Sequence, residues 1–223
     1  MPISPLYIAL IVVTLAIGGF ATFYVNSKLK KYKKVPSALG ITGAEMARRM
    51  LAANGVSGVS IHQGAPGQDH FDPRSNSISL GPDEYNGTSI TAIATACHEA
   101  GHAVQFAQGY SPMKIRSALV PVVNLASNAW MFLLLIGIFM NLMGLVDLAI
   151  IMYAAAVLFQ IVTLPVEFNA SRRAMAYLGT TGVSQGEQTG AFSVLRACAF
   201  TYVAAALTSI LQLLYLLSLR DNN

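Results

Sequence analysis

Charge is what this sequence has least of. Asp, Glu, Lys and Arg make up 11% of its 223 residues, where a soluble domain carries about 25%. Residues 1–27, 117–146, 148–166 and 197–219 contain no charged side chain at all. Such gaps exclude an ordinary water-soluble domain, because about 20 mostly apolar residues are what a helix needs to cross hydrocarbon. Cysteine is scarce too. Cys97 and Cys198 are the only two, too few for a disulfide framework. Both lie in or beside apolar helical stretches and read as small buried hydrophobes. Cys97 adjoins His98, yet neighbouring helix positions point in different directions, so no shared metal is expected. The net charge of +4 is too small to imply a nucleic-acid partner. Internal repeats and low-complexity tracts are absent as well.

The charges that remain sit at the edges of the apolar runs, where they report topology. A cleaved signal peptide would start with a basic segment and have a shorter apolar core. Here the basic residues follow the first run, as Lys28, Lys30, Lys31, Lys33 and Lys34, so the run is expected to stay as an anchor. Positive charge beside a span stays cytoplasmic, which puts the N-terminus outside and the next loop inside. Residues 117–166 are too long for one span; two spans joined near residues 141–147 fit. Arg116 precedes that pair, and Arg172 and Arg173 follow it, so both ends of the hairpin face the cytoplasm. Residues 197–219 form a fourth span. The expected fold is an α-helical integral membrane protein with about four transmembrane helices and a small α+β cytoplasmic portion. Its regions are an N-terminal anchor (1–27), a cytoplasmic region (28–116), a transmembrane hairpin (117–166), a cytoplasmic segment (167–190) and a C-terminal transmembrane helix (191–223).

Within residues 36–116 the local signals are those of a small folded unit. Thr42 and Glu45 have capping-box spacing ahead of a helix to Ala53, which Asn54-Gly55 ends. Residues 56–61 and 75–80 alternate as short strands, with a turn at residues 64–67. Thr88 and Ser89 are N-caps for a helix from about 90 to 108, closed by Gly109. Residues 75–80 read as an edge strand near that helix, a place where an extended peptide could pair.

That last helix carries His98-Glu99-Ala100-Gly101-His102, which has the pattern H-E-x-x-H. Residues four apart lie one turn above each other on one helix face, so two imidazoles can bind one zinc ion there. Glu99 stands where a general base is needed, able to take a proton from water activated by the metal. A catalytic site needs a third protein ligand and an open fourth position. The candidates are His62, His70, Asp72, Asp83, Glu84 and Glu167. Glu167 stands out: a carboxylate at the end of an apolar run is costly unless paired or bound to metal. The topology also brings it to the same membrane face as His98 and His102.

The stretch from Thr95 to Gln105, with Leu164 to Ala174 downstream and His70-Phe71-Asp72-Pro73-Arg74 upstream, resembles the YugP-like family of membrane zinc metallopeptidases. The resemblance covers nearly the whole chain. It implies a bacterial-type integral membrane protein of the zincin class, gluzincin type, with His98, His102 and Glu167 on one zinc per chain and Glu99 as base. Many membrane gluzincins have an Asp four residues after the ligand Glu, supporting a zinc-bound His; this chain has Ser171 there.

The expected function is hydrolysis of peptide bonds of protein substrates at the cytoplasmic face of the plasma membrane. Protein or peptide and membrane lipid are the expected partners. Arg172, Arg173, His70 and Tyr110 are the candidates for stabilising a developing oxyanion. The competing reading is a catalytically silent zinc-binding membrane scaffold. A structural site is usually closed by four protein ligands and needs no base, so Glu99 separates the two.

Overall fold

The computed structural model describes residues 5–221; the outer residues of the expected anchor and of the C-terminal segment lie outside them. In chain order the elements are α1 (Pro5–Lys33), α2 (Gly43–Ala53), β1 (Ser60–Gln63), β2 (His70–Asp72), β3 (Ser77–Leu80), α3 (Pro82–Asn86), α4 (Ile90–Ala107), α5 (Ser111–Phe139), α6 (Met143–Leu178) and α7 (Gln185–Asp221). The charge-free runs became α1, α5, α6 and α7, each long and apolar enough to cross a membrane. Their outward faces are apolar: Leu15 is 70%, Phe132 67% and Phe139 88% exposed. In water each such side chain would cost about 1.5–3 kcal/mol relative to burial, whereas acyl chains accept it. The fold is that of a helical membrane protein with a small α+β portion.

The long helices overrun the apolar runs. α5 starts at Ser111, and α7 starts at Gln185 rather than near residue 197. α6 continues through Pro165 to Leu178, so the third apolar run and the segment bearing Glu167 are one helix, not two elements. Proline is tolerated inside such helices because neighbouring helices re-satisfy the backbone groups it frees. The turn between α5 and α6 is confined to residues 140–142, with Asn141 in the left-handed region at φ 54°. These overrunning ends carry Arg116, Glu167, Arg172 and Arg196 out of the charge-free zone.

The α4 helix is the centre of the molecule. It packs on α2 and the sheet on one side and on α6 and α7 on the other. One buried core joins Met46 and Met50 of α2, Ile78 and Leu80 of β3, Ile93 and Val104 of α4, Val166 of α6 and Val194 of α7. The α+β portion and the ends of the long helices therefore fold around the same interior. Thr42 caps α2 by accepting the Glu45 N–H at 3.2 Å. Glu45 does not complete a capping box; its carboxylate accepts from Arg49 one turn on, at 2.8 Å.

The sheet has the order β1-β3-β2, with β1 parallel and β2 antiparallel to β3. This corrects the reading of residues 75–80 as an edge strand. β3 is the central strand, and all four of its residues are buried. Alternation of Ser77, Ile78, Ser79 and Leu80 reports two different faces; it says nothing about whether the ladder edges are occupied. β2 is an edge strand and packs against α4.

Candidate metal centre

Ser89 starts α4 by accepting the Ala92 N–H at 3.1 Å. The helix is buried over most of its surface, so it is held rigidly from several directions. His98 and His102 stand one turn apart, their rings edge to face with centroids 4.7 Å apart. α6 passes α4 at Gly101, where a Cβ would lie 2.9 Å from the Ala170 carbonyl oxygen. Only glycine permits that approach. It sets Glu167, three residues before Ala170, against the two imidazoles. His98 Nε2 lies 3.1 Å and His102 Nε2 3.4 Å from Glu167 Oε2, and the two Nε2 atoms are 3.2 Å apart.

These separations suit zinc. Ligands at about 2.0–2.2 Å from a tetrahedral ion lie roughly 3.4 Å from one another. The triangle is also awkward without a cation. Glu167 is 1% exposed, and its Oε1 has no hydrogen-bond donor. Burying an ionised carboxylate is costly unless a cation pairs with it. Arg116 supplies part of that charge, with Nη1 3.5 Å from Oε1. A metal at the mouth of the triangle would supply the rest.

The hydrogen bonds behind the imidazoles orient them. Gln105 Nε2 donates to the Val166 carbonyl at 2.8 Å and to Asn169 Oδ1 at 3.0 Å. Carbonyl oxygens only accept, so the Gln105 amide orientation is assigned by this network. Its Oε1 then accepts from His102 Nδ1 at 3.0 Å, which puts the proton on Nδ1 and leaves the Nε2 lone pair facing Glu167. His98 Nδ1 pairs with the Ser171 hydroxyl at 3.2 Å, a neutral partner. Replacing Gln105 by Leu is expected to weaken zinc affinity by about 10–100-fold, measured by competition with a chromophoric chelator.

Glu99 is 7% exposed. Burial pushes its carboxyl up to about 7, while His98 and the backbone N–H of Phe71 on β2 favour its charged form. The edge strand β2 therefore faces the glutamate beside the metal triangle. Nearby, β2 and the first turns of α5 wall a cleft of about 300 Å³ that includes His70, Asp72, Arg74 and Arg116.

Comparison with known proteins decides the family. The sequence profile described as "Putative neutral zinc metallopeptidase" matches residues 7–221. The chain belongs to this zinc metallopeptidase family. It is 43% identical over 212 residues to a protein of Bacillus subtilis (strain 168) described as "Putative membrane protease YugP", covering 94% of each chain. No solved structure matches.

Within this family member the remaining sequence candidates are dispersed. His70 lines the cleft with its Nδ1 3.0 Å from the Gln68 carbonyl. Tyr110 packs against the core at the start of α5. Arg173 donates to Asn169 and to Gln108, both at 2.8 Å. Arg172 is exposed and lines a groove between α6 and α7. His62 is exposed on β1, and Asp83 pairs with Lys33. Gln105 and Arg116 are the additions. Gln105 was accessible from its spacing, three residues after His102 on one helix face. Arg116 carried only a topological signal, as the charge before a long uncharged run.

Proposed function

We propose that this chain is a zinc-dependent endopeptidase that hydrolyses peptide bonds of protein substrates at the cytoplasmic face of a bacterial plasma membrane. The observation that carries the reading is the metal centre itself. Among the described residues, three metal-binding side chains converge, His98, His102 and Glu167, with the buried Glu99 beside them. Three protein ligands leave a fourth position open, as catalysis requires and a structural site does not. One zinc held there supplies, when bound, a Lewis acid for the scissile carbonyl and an activated water. Glu99 takes the proton of the attacking water and passes it to the leaving amine. The Phe71 backbone N–H favours the charged form of that carboxylate, Gln105 holds His102 in its ligand tautomer, and Ser171 orients His98 through Nδ1.

An extended substrate would lie in the cleft between β2 and α5, where Arg116 offers donors to its carbonyl groups while the His70 Nδ1–H is engaged by the Gln68 carbonyl. The same end of the helix bundle bears Lys28 to Lys34, Arg116, Arg172, Arg173 and Arg196, and that bias supports a cytoplasmic orientation.

The test is metal removal. Purified protein in detergent is expected to contain one zinc per chain and to cleave an unfolded protein such as casein. Dialysis against a chelator should abolish cleavage, and stoichiometric zinc should restore it. A protein that binds one zinc yet cleaves no member of a broad peptide library would be a scaffold instead.

A further inference from the structure

We infer that the groove between α1, α6 and α7 is a binding site for one anionic phospholipid. Two cavities, of about 450 and 380 Å³, share Phe168, Arg196 and Ala199 and so form one continuous groove. The larger one is lined by Arg172, and Arg196 stands where the two meet. The other is walled by Phe20, Phe200 and Val203. Along α7 the groove runs from Phe192 to Val203, about 16 Å at the helical rise.

The two ends differ in the way a phospholipid does. Arg196 immediately precedes the uncharged residues 197–219, and Arg172 follows the uncharged residues 148–166 by a turn and a half. Both arginines therefore stand at one membrane interface, at headgroup depth, while Phe20 and Val203 lie toward the hydrocarbon. The apolar wall is open, with Phe20 60%, Phe168 44% and Phe192 50% exposed. Among the described residues neither arginine has a carboxylate partner. Arg196 donates to the Tyr24 hydroxyl at 3.1 Å and lies over the Phe192 ring, 5.7 Å from its centroid. Lys28 lies over the same Tyr24 ring at 5.5 Å. Cations without acids select a phosphate carrying net negative charge over a zwitterionic headgroup. An apolar tail below them selects a lipid over free phosphate. Ser171 lines the same groove and bonds to His98 Nδ1, so the lipid rests one side chain away from the metal centre.

The experiment is native mass spectrometry of the zinc-loaded protein in detergent, titrated with phosphatidylglycerol or with phosphatidylcholine of the same acyl chains. Wild type should retain one phosphatidylglycerol with at least tenfold preference. Arg172→Gln/Arg196→Gln should lower that affinity by about 30-fold, at roughly fivefold for each arginine near the surface. Among the described residues Arg172 makes no hydrogen bond or ion pair, so Arg172→Gln alone tests the site without disturbing packing and should cost about fivefold. Retained zinc reports a folded centre in each variant. Lys30→Gln/Lys31→Gln/Lys34→Gln should leave the preference unchanged, because those lysines line a separate surface. Equal retention of the two lipids, or a preference that survives loss of both arginines, overturns the proposal. So does displacement of the lipid by millimolar inorganic phosphate, which would make this a free-phosphate site, and so does loss of the preference in the lysine variant.

Discussion

Glu99→Gln is expected to keep its zinc and lose peptide hydrolysis by about 10²–10⁴-fold, the usual contribution of a positioned general base. The two effects separate because of where Glu99 stands. It is not among the three converging side chains that could hold a metal, so metal binding is not expected to depend on it. Its amide isostere keeps the shape of the buried site, and burial already disfavours the charge, raising the carboxyl to about 7. A neutral side chain is therefore tolerated by the fold. What glutamine lacks is a lone pair basic enough to accept a proton from water. The measurement is zinc per chain beside the initial rate of cleavage of a fluorogenic peptide, wild type against variant. An unchanged rate would remove Glu99 from the chemistry. Loss of zinc in a folded variant would make Glu99 part of the metal-binding structure.

The parts of this molecule that sequence revealed are those set by local chemistry. Charge-free length specified the four long helices, because a bilayer demands satisfied backbone and apolar side chains over a fixed distance. Ser89 and Thr42 marked helix starts because their hydroxyls accept orphan amide hydrogens. Two histidines at helical spacing need no tertiary knowledge to share a face, and a lone carboxylate at the end of an apolar run signals an unmet need for a cation. The remainder depends on how elements cross. At three residues, β2 is too short for alternation to be read. Arg116 meets Glu167 only because α5 begins six residues earlier than its uncharged run. α6 continues through Pro165, where local propensity alone would end or kink a helix.

One such crossing carries the second large expected effect. Gly101→Val is expected to lower zinc affinity by about 10²-fold, while Gly144→Ala on α6 should leave it unchanged. A Cβ at residue 101 would sit 2.9 Å from the Ala170 carbonyl oxygen and 3.3 Å from the Ala170 Cα. Both atoms belong to backbone in the middle of a long helix, so neither can swing aside as a side chain can. The helices must separate, and Glu167 travels with α6 away from imidazoles held on α4. Metal coordination tolerates only about 0.2 Å in its bond lengths. Overpacking of this kind costs about 1–3 kcal/mol, and its upper end corresponds to about 10²-fold in binding. At Gly144 an added Cβ meets nothing within 4 Å, so that substitution controls for the general effect of losing a helical glycine. Chelator competition measures the affinities, and circular dichroism confirms that the helices persist. Wild-type zinc affinity in folded Gly101→Val would mean that the approach of α6 to α4 does not set the ligand triangle, and that the two helices adjust independently of the metal.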